Sequence, residues 1–159
     1  NDWFLAALAL HRVAFSEQRI IFPGLSPNGG DGVSKLDSWS FLEKCRQAVE
    51  TADGLGIHTY WSPQIGWPLD GAIGEVRGYV EMFPSSPIWI TECSNNRGGI
   101  TPATRAAQYK QFWNAMKNIR NIEGLTFFVA SASHLVFNEH EEVWISNGKS
   151  LGIAAAIRS

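Results

Sequence analysis

The residues best placed to do chemistry are an acid, an imidazole and a phenol that close two short apolar runs. Ile88-Trp89-Ile90-Thr91 leads directly into Glu92. Desolvating a carboxylate at the end of a dry strand is costly unless the group is paired or put to use. Glu92 therefore reads either as a reacting group or as a rim carboxylate bonded by a neighbouring loop. The run Leu55 to Trp61 carries His58 and Tyr60 two positions apart, which places both on one face of a strand. Both can donate hydrogen bonds to a nearby carboxylate and set its charge. The plainer reading of this pair is a satisfied core histidine with a packed tyrosine. The same period of two puts Glu92 on the face of Ile88 and Ile90.

These residues need elements that carry them to a common place. Four runs rich in β-branched and aromatic residues are expected as strands: Arg19 to Phe22, Leu55 to Trp61, Ile88 to Thr91 and Leu125 to Val129. Their apolar character does not alternate cleanly, as expected of strands covered on both faces. Helical patterns lie between them. Asp2 is expected to cap a first helix through Trp3, Phe4, Leu8 and Val13. Asp37 is expected to cap one carrying Phe41, Leu42, Cys45, Ala48 and Val49. Thr101-Pro102 is a start signal, a side-chain acceptor followed by proline at the first helical position. The stripe that follows comprises Ala106, Tyr109, Trp113 and Met116. Leu69 to Phe83 is a helix weakened by three glycines, and Leu151 to Ile157 is a last short one. One helix followed by four strand–helix units implies an α/β fold with a parallel sheet. Periodicity leaves two architectures open: an open doubly wound sheet, or half of an eight-stranded barrel, which when complete typically needs about 250 residues. In both, sites form at the C-terminal ends of the strands.

Composition narrows the classes. The 159 residues are 45% hydrophobic and 18% charged, with seven Trp and nine Phe. This suits a single globular domain over residues 1–159. A formal net charge of -2 leaves no nucleic-acid or membrane-surface footprint. Cys45 and Cys93 read as small buried residues rather than a disulfide framework. No apolar stretch reaches the ~20 residues that span a bilayer, and the N-terminus lacks the basic region of a signal peptide. The opening at Asn1, already at a helix start, reads as a processed or truncated chain. No glycine-rich nucleotide fingerprint is present, and no cofactor or metal is expected. His134, Glu139 and His140 fit no zinc spacing. Asn95 to Gly99, including Arg97, is a candidate anion loop, with a plain loop as its simpler reading. Glu139, Glu141 and Glu142 read as a solvated acidic turn.

The motifs as a set resemble a known family. Pro87-Ile-Trp-Ile-Thr-Glu92-Cys-Ser94 is similar to the seventh strand of clan A glycoside hydrolases, the cellulase-like barrels, in which such a strand ends in the nucleophilic glutamate. Gly56-Ile-His58-Thr-Tyr60 resembles the sixth strand, Ile21-Phe-Pro-Gly24 the fifth, and Leu125 to Ser131 the eighth. Trp144 to Ile157 resembles the closing segment. The resemblance implies half of a (β/α)8 barrel, four consecutive βα units equivalent to strands five to eight, preceded by one helix. It implies that Glu92 is the nucleophile, that Tyr60 orients it and that His58 lines the sugar pocket. It makes Trp61 and Trp144 candidates for sugar stacking. In the family the acid/base glutamate ends the fourth strand, within an Asn-Glu pair, and Asn1-Asp2-Trp3 is not that motif. A retaining reaction needs two carboxyl groups about 5 Å apart, so the second would come from outside this chain. Open edge strands invite pairing, and the expected partner is a second copy or a missing N-terminal half. In a closed dimer of half barrels the two Glu92 residues would face each other across the barrel, too far apart for a retaining pair. Two further readings stay open: a non-catalytic half-barrel module binding carbohydrate or a protein, and a barrel enzyme for a phosphorylated substrate.

Overall fold

In the computed structural model, residues 1–27, 36–96, 99–129, 143–146 and 148–158 are described. The elements run α1 (Asp2–Ala14), β1 (Ile21–Leu25), α2 (Ser38–Lys44), α3 (Arg46–Thr51), β2 (Gly54–Trp61), α4 (Leu69–Met82), β3 (Ile88–Asn95), α5 (Pro102–Met116) and β4 (Ile122–Phe127). A small antiparallel pair, β5 (Ile145–Ser146) and β6 (Lys149–Ser150), precedes α6 (Ile153–Arg158). Strands β1 to β4 form one parallel sheet in chain order. A doubly wound sheet reverses its order at a switch point, and no reversal occurs among these four strands. The architecture is mixed α/β with a four-stranded parallel sheet, as in part of a TIM-like barrel.

The capping signals act much as read, with one exception. Asp37 accepts a hydrogen bond from the Ser40 amide at 2.9 Å, and Thr101 accepts one from the Thr104 amide at 3.1 Å. At α1 the cap position is Asn1, not Asp2, and it makes no side-chain cap bond. Its Oδ1 instead accepts from the Ala48 amide at 3.1 Å, which ties the start of α1 to α3. The expected second helix breaks at Cys45 into α2 and α3. In α5 the buried stripe is Ala106, Tyr109, Phe112 and Met116 with Arg105, whereas Trp113 faces outward.

One face of the sheet carries the core. Leu55, Ile57, Thr59 and Trp61 of β2 and Ile88, Ile90 and Cys93 of β3 are sealed from solvent against the helices. Burying each such aliphatic side chain stabilises the fold by about 1.5–3 kcal/mol. Both cysteines are free and buried. On the opposite face Gly54 and Gly56 are followed by His58 and Tyr60, which are only half-buried. Among the described residues no helix is long and apolar enough to cross a membrane.

Candidate active site

Glu92 does not lie on the face that simple alternation assigns to it. Strand β3 is longer than its apolar run and continues to Asn95, so Glu92 sits inside it. Ile57 pairs with Ile90, but His58 pairs with Glu92, and Thr59 with Cys93. One extra residue of β3, at Thr91, is thus accommodated between these pairs, a β-bulge of the kind that re-aims side chains near active sites. Before the bulge Ile90 faces the helices; after it Cys93 does so again, and Glu92 is turned to the face of His58 and Tyr60. The step is held by side chains. The Thr91 hydroxyl donates to the Ile57 carbonyl at 3.3 Å, and the Thr126 hydroxyl of β4 donates to the Thr91 carbonyl. The Cys93 thiol lies on the Thr126 carbonyl at 3.4 Å, and its burial pushes its pKa up, so it stays an inert thiol.

The three residues singled out from sequence meet here. The Tyr60 hydroxyl donates to Glu92 Oε2. His58 Nδ1 lies 3.5 Å from the same oxygen and 3.2 Å from Ser26 Oγ. The His58 and Tyr60 rings meet edge to face, 6.5 Å between centroids. Both neighbours engage Oε2, and among the described residues Oε1 has no hydrogen-bond partner. The Glu92 side chain is 33% exposed and that of His58 17%, so the carboxylate can be reached from outside. Gly24, at the end of β1, makes room for the imidazole. A Cβ there would lie 2.6 Å from His58 Nε2 and 2.6 Å from Thr91 Oγ1.

The strand ends are clamped from the helix side. Gln108 Oε1 of α5 accepts from Trp61 Nε1 at 3.0 Å and from Asn95 Nδ2 at 3.1 Å. The buried Arg105 guanidinium donates to the Asn95 carbonyl at 2.8 Å. These bonds fix the ends of β2 and β3 against each other, one residue beyond Tyr60 and three beyond Glu92.

The two tryptophans expected to stack on sugar do not line this face. Trp61 follows Tyr60 and so points the other way. It is fully buried, stacked on Phe112 at 5.3 Å and edge-on to Tyr109 at 5.8 Å. Trp144 packs on the helix side too, 5.7 Å from Tyr109 and 5.9 Å from Phe127. Phe127 pairs in register with Cys93 and shares its side of the sheet. Different aromatic residues border the site. A cleft of about 760 Å³ opens beside Tyr60, walled by Trp39, Trp67, Glu75, Asn96 and Ser26. Apart from Asn96, which belongs to the candidate anion loop, sequence reading missed these residues, because they come from the segments after β1 and before α4, the start of α2 and the middle of α4. Only the exposed Trp67, between Gly66 and Pro68, carried a signal. Ala130 to Ser133, His134, Glu139, His140, Glu141 and Glu142 lie outside the described residues, as do Arg97 and Gly98 of the candidate anion loop. Among the described residues no group of three His, Cys, Asp or Glu side chains is arranged to hold a metal ion.

A family profile of the glycosyl hydrolase catalytic core matches residues 7–152. The chain belongs to the glycosyl hydrolase catalytic core family. This glycosyl hydrolase core is also similar in fold to several solved structures. An exo-β-1,3-glucanase of the GH128 type from Aureobasidium namibiae superposes with a TM-score of 0.72 at 14% identity, over 95% of this chain and 57% of that one. An endo-β-1,3-glucanase from Amycolatopsis mediterranei, in complex with laminaritriose, gives 0.62 at 17% identity, over 98% and 64%. A curdlan-specific exo-β-1,3-glucanase from Blastomyces gilchristii, in complex with glucose, gives 0.66 at 14% identity, over 98% and 60%. At such identities the likeness is one of fold. The glycosyl hydrolase core thus spans about three-fifths of the length of these enzymes. Among curated protein sequences none matches it significantly.

Proposed function

We propose that this chain carries the nucleophilic half of a retaining, clan A type glycoside hydrolase, that Glu92 is the nucleophile, and that β-1,3-linked glucan is the substrate class. The observation that supports this most is the Tyr60–Glu92 hydrogen bond on a face that a β-bulge alone gives to the carboxylate. Oε2 is held by Tyr60 with His58 beside it, and Oε1 is left to form the bond.

In the complete reaction Oε1 attacks the anomeric carbon as the bond to the leaving oxygen breaks, and a general acid delivers a proton to that oxygen. The glycosyl–Glu92 ester is then opened by water, which returns a proton to the same acid/base group. That second carboxyl is expected about 5 Å from Glu92. We assign it to a partner segment, as the family resemblance implies. Strands β1 and β4 are the edges of the described sheet, each with one neighbour. A second copy of the chain, or a further half barrel, would cover them. Light scattering of the purified chain tests this: a dimer or larger species supports the first, and a stable monomer at micromolar concentration argues against it.

An aryl glycoside with a very acidic leaving group needs no proton donor. The chain is therefore expected to release 2,4-dinitrophenol from 2,4-dinitrophenyl β-glucoside, and Glu92→Gln is expected to lose at least about a thousandfold of that rate. Equal rates in the two proteins would remove Glu92 from the chemistry.

A further inference from the structure

The cleft beside Tyr60 does not include Glu92, and it has a chemistry of its own. Trp67 is 56% exposed, an unusual fraction for so large an apolar ring, yet its backbone is pinned. Its amide and carbonyl both bond to Ser62, at 3.1 and 2.6 Å, and Gly66 before it takes the positive φ of 83° that closes the turn. The turn is anchored in turn to the end of β3, because the Ser62 hydroxyl bonds to Asn96. A second aromatic wall is Trp39, stacked on Tyr79 at 4.2 Å and 16°. That stack needs Gly78, where a Cβ would stand 2.6 Å from the Trp39 ring. Glu75 of α4 lines the same cleft. Thr59 donates to its Oε2 at 2.9 Å, and among the described residues Oε1 has no partner. Burial raises its pKa, which suits a group that meets neutral hydroxyls and not a cation.

We propose that Trp67, Trp39 and Glu75 form a pocket for a neutral pyranose ring, one sugar removed from the ring that Glu92 attacks. Trp67 offers a flat apolar face, and Glu75 Oε1 takes a ring hydroxyl. Tyr60 joins the two positions, since it lines the cleft and also holds Glu92. The identity of the ligand as a glucan rests on the functional reading above, whereas the pocket itself does not.

Binding is measured on the full chain bearing Glu92→Gln, so that no turnover enters, by titration calorimetry with laminaritriose. Saturable binding is expected, weakened about tenfold or more by Trp67→Ala and by Glu75→Ala. Trp113→Ala, which removes an exposed tryptophan from α5, is expected to leave the affinity unchanged. Trp67 lies on an exposed turn, so its variant reports even if Glu75→Ala disturbs folding. Affinity indifferent to Trp67→Ala, or no binding of laminaritriose, would overturn the proposal, as would binding of tetramethylammonium in its place. Because binding is read without chemistry, a pocket that binds in a chain that never hydrolyses would refute the catalytic role of Glu92 alone.

Discussion

Tyr60 and Glu92 sit on adjacent parallel strands and share a hydrogen bond that regular strand geometry would forbid. Strict alternation would set the carboxylate among the helices with Ile88 and Ile90. The extra residue at Thr91 turns it to the open face. A single backbone irregularity thus decides whether this acid is a buried liability or a reachable group.

Removing the phenol isolates its contribution. A hydrogen bond to a charged group is worth about 1.5–3 kcal/mol. Tyr60→Phe is therefore expected to slow release of dinitrophenol by about ten- to a hundredfold while the far-ultraviolet dichroism stays that of the parent. A Tyr60→Phe variant as fast as the parent would mean the bond does not orient the nucleophile.

Gly24 is expected to tolerate no side chain. Alanine there would drive a methyl group into His58 and Thr91, which hold the pocket and the bulge. Overpacking of this sort costs about 1–3 kcal/mol. The urea midpoint of Gly24→Ala should fall accordingly, and an unshifted midpoint would show that the strand end yields without strain.

The clamp at Gln108 should matter for stability more than its polar, single-residue nature suggests. Gln108→Leu removes the acceptor of the Trp61 indole N–H, which is buried, and one bond of Asn95. An unsatisfied buried donor costs about 1–3 kcal/mol. Equilibrium unfolding in urea measures that loss, and a variant as stable as the parent would argue that the clamp is idle.

Glu75 should leave a mark on the pH dependence of folding. Its carboxyl is desolvated, so the folded chain holds that proton more tightly than the unfolded chain does. Its effect is absent below the ordinary glutamate value of 4.5, and stability falls as pH rises from there through the raised folded-state value. Glu75→Gln cannot lose a proton. The stability of the parent relative to Glu75→Gln should therefore decline as pH rises above about 4.5. A difference independent of pH would contradict the desolvation of this group.

Much of the fold was legible because it rests on local signals. Strand runs, the Asp37 and Thr101 caps and the shared face of His58 and Tyr60 all follow from residue type and spacing. Alternation also carried the information that Trp61 faces away from Tyr60, although family resemblance suggested a sugar contact for it. The bulge was not legible. No residue between Ile88 and Asn95 announces an inserted position, and its cause lies partly in Thr126 of a different strand. Nor was the cleft legible, because Trp39, Trp67 and Glu75 meet only through the packing of α2, α4 and the turn at Gly66.

The most direct measurement is the mass of a trapped intermediate. The chain is incubated with 2,4-dinitrophenyl 2-deoxy-2-fluoro-β-glucoside, digested and sequenced by mass spectrometry. A fluoroglucosyl adduct on the peptide containing Glu92, absent from Glu92→Gln, is the expected result. An adduct on another side chain, or none while dinitrophenol is still released, would contradict the assignment of Glu92 as the attacking group.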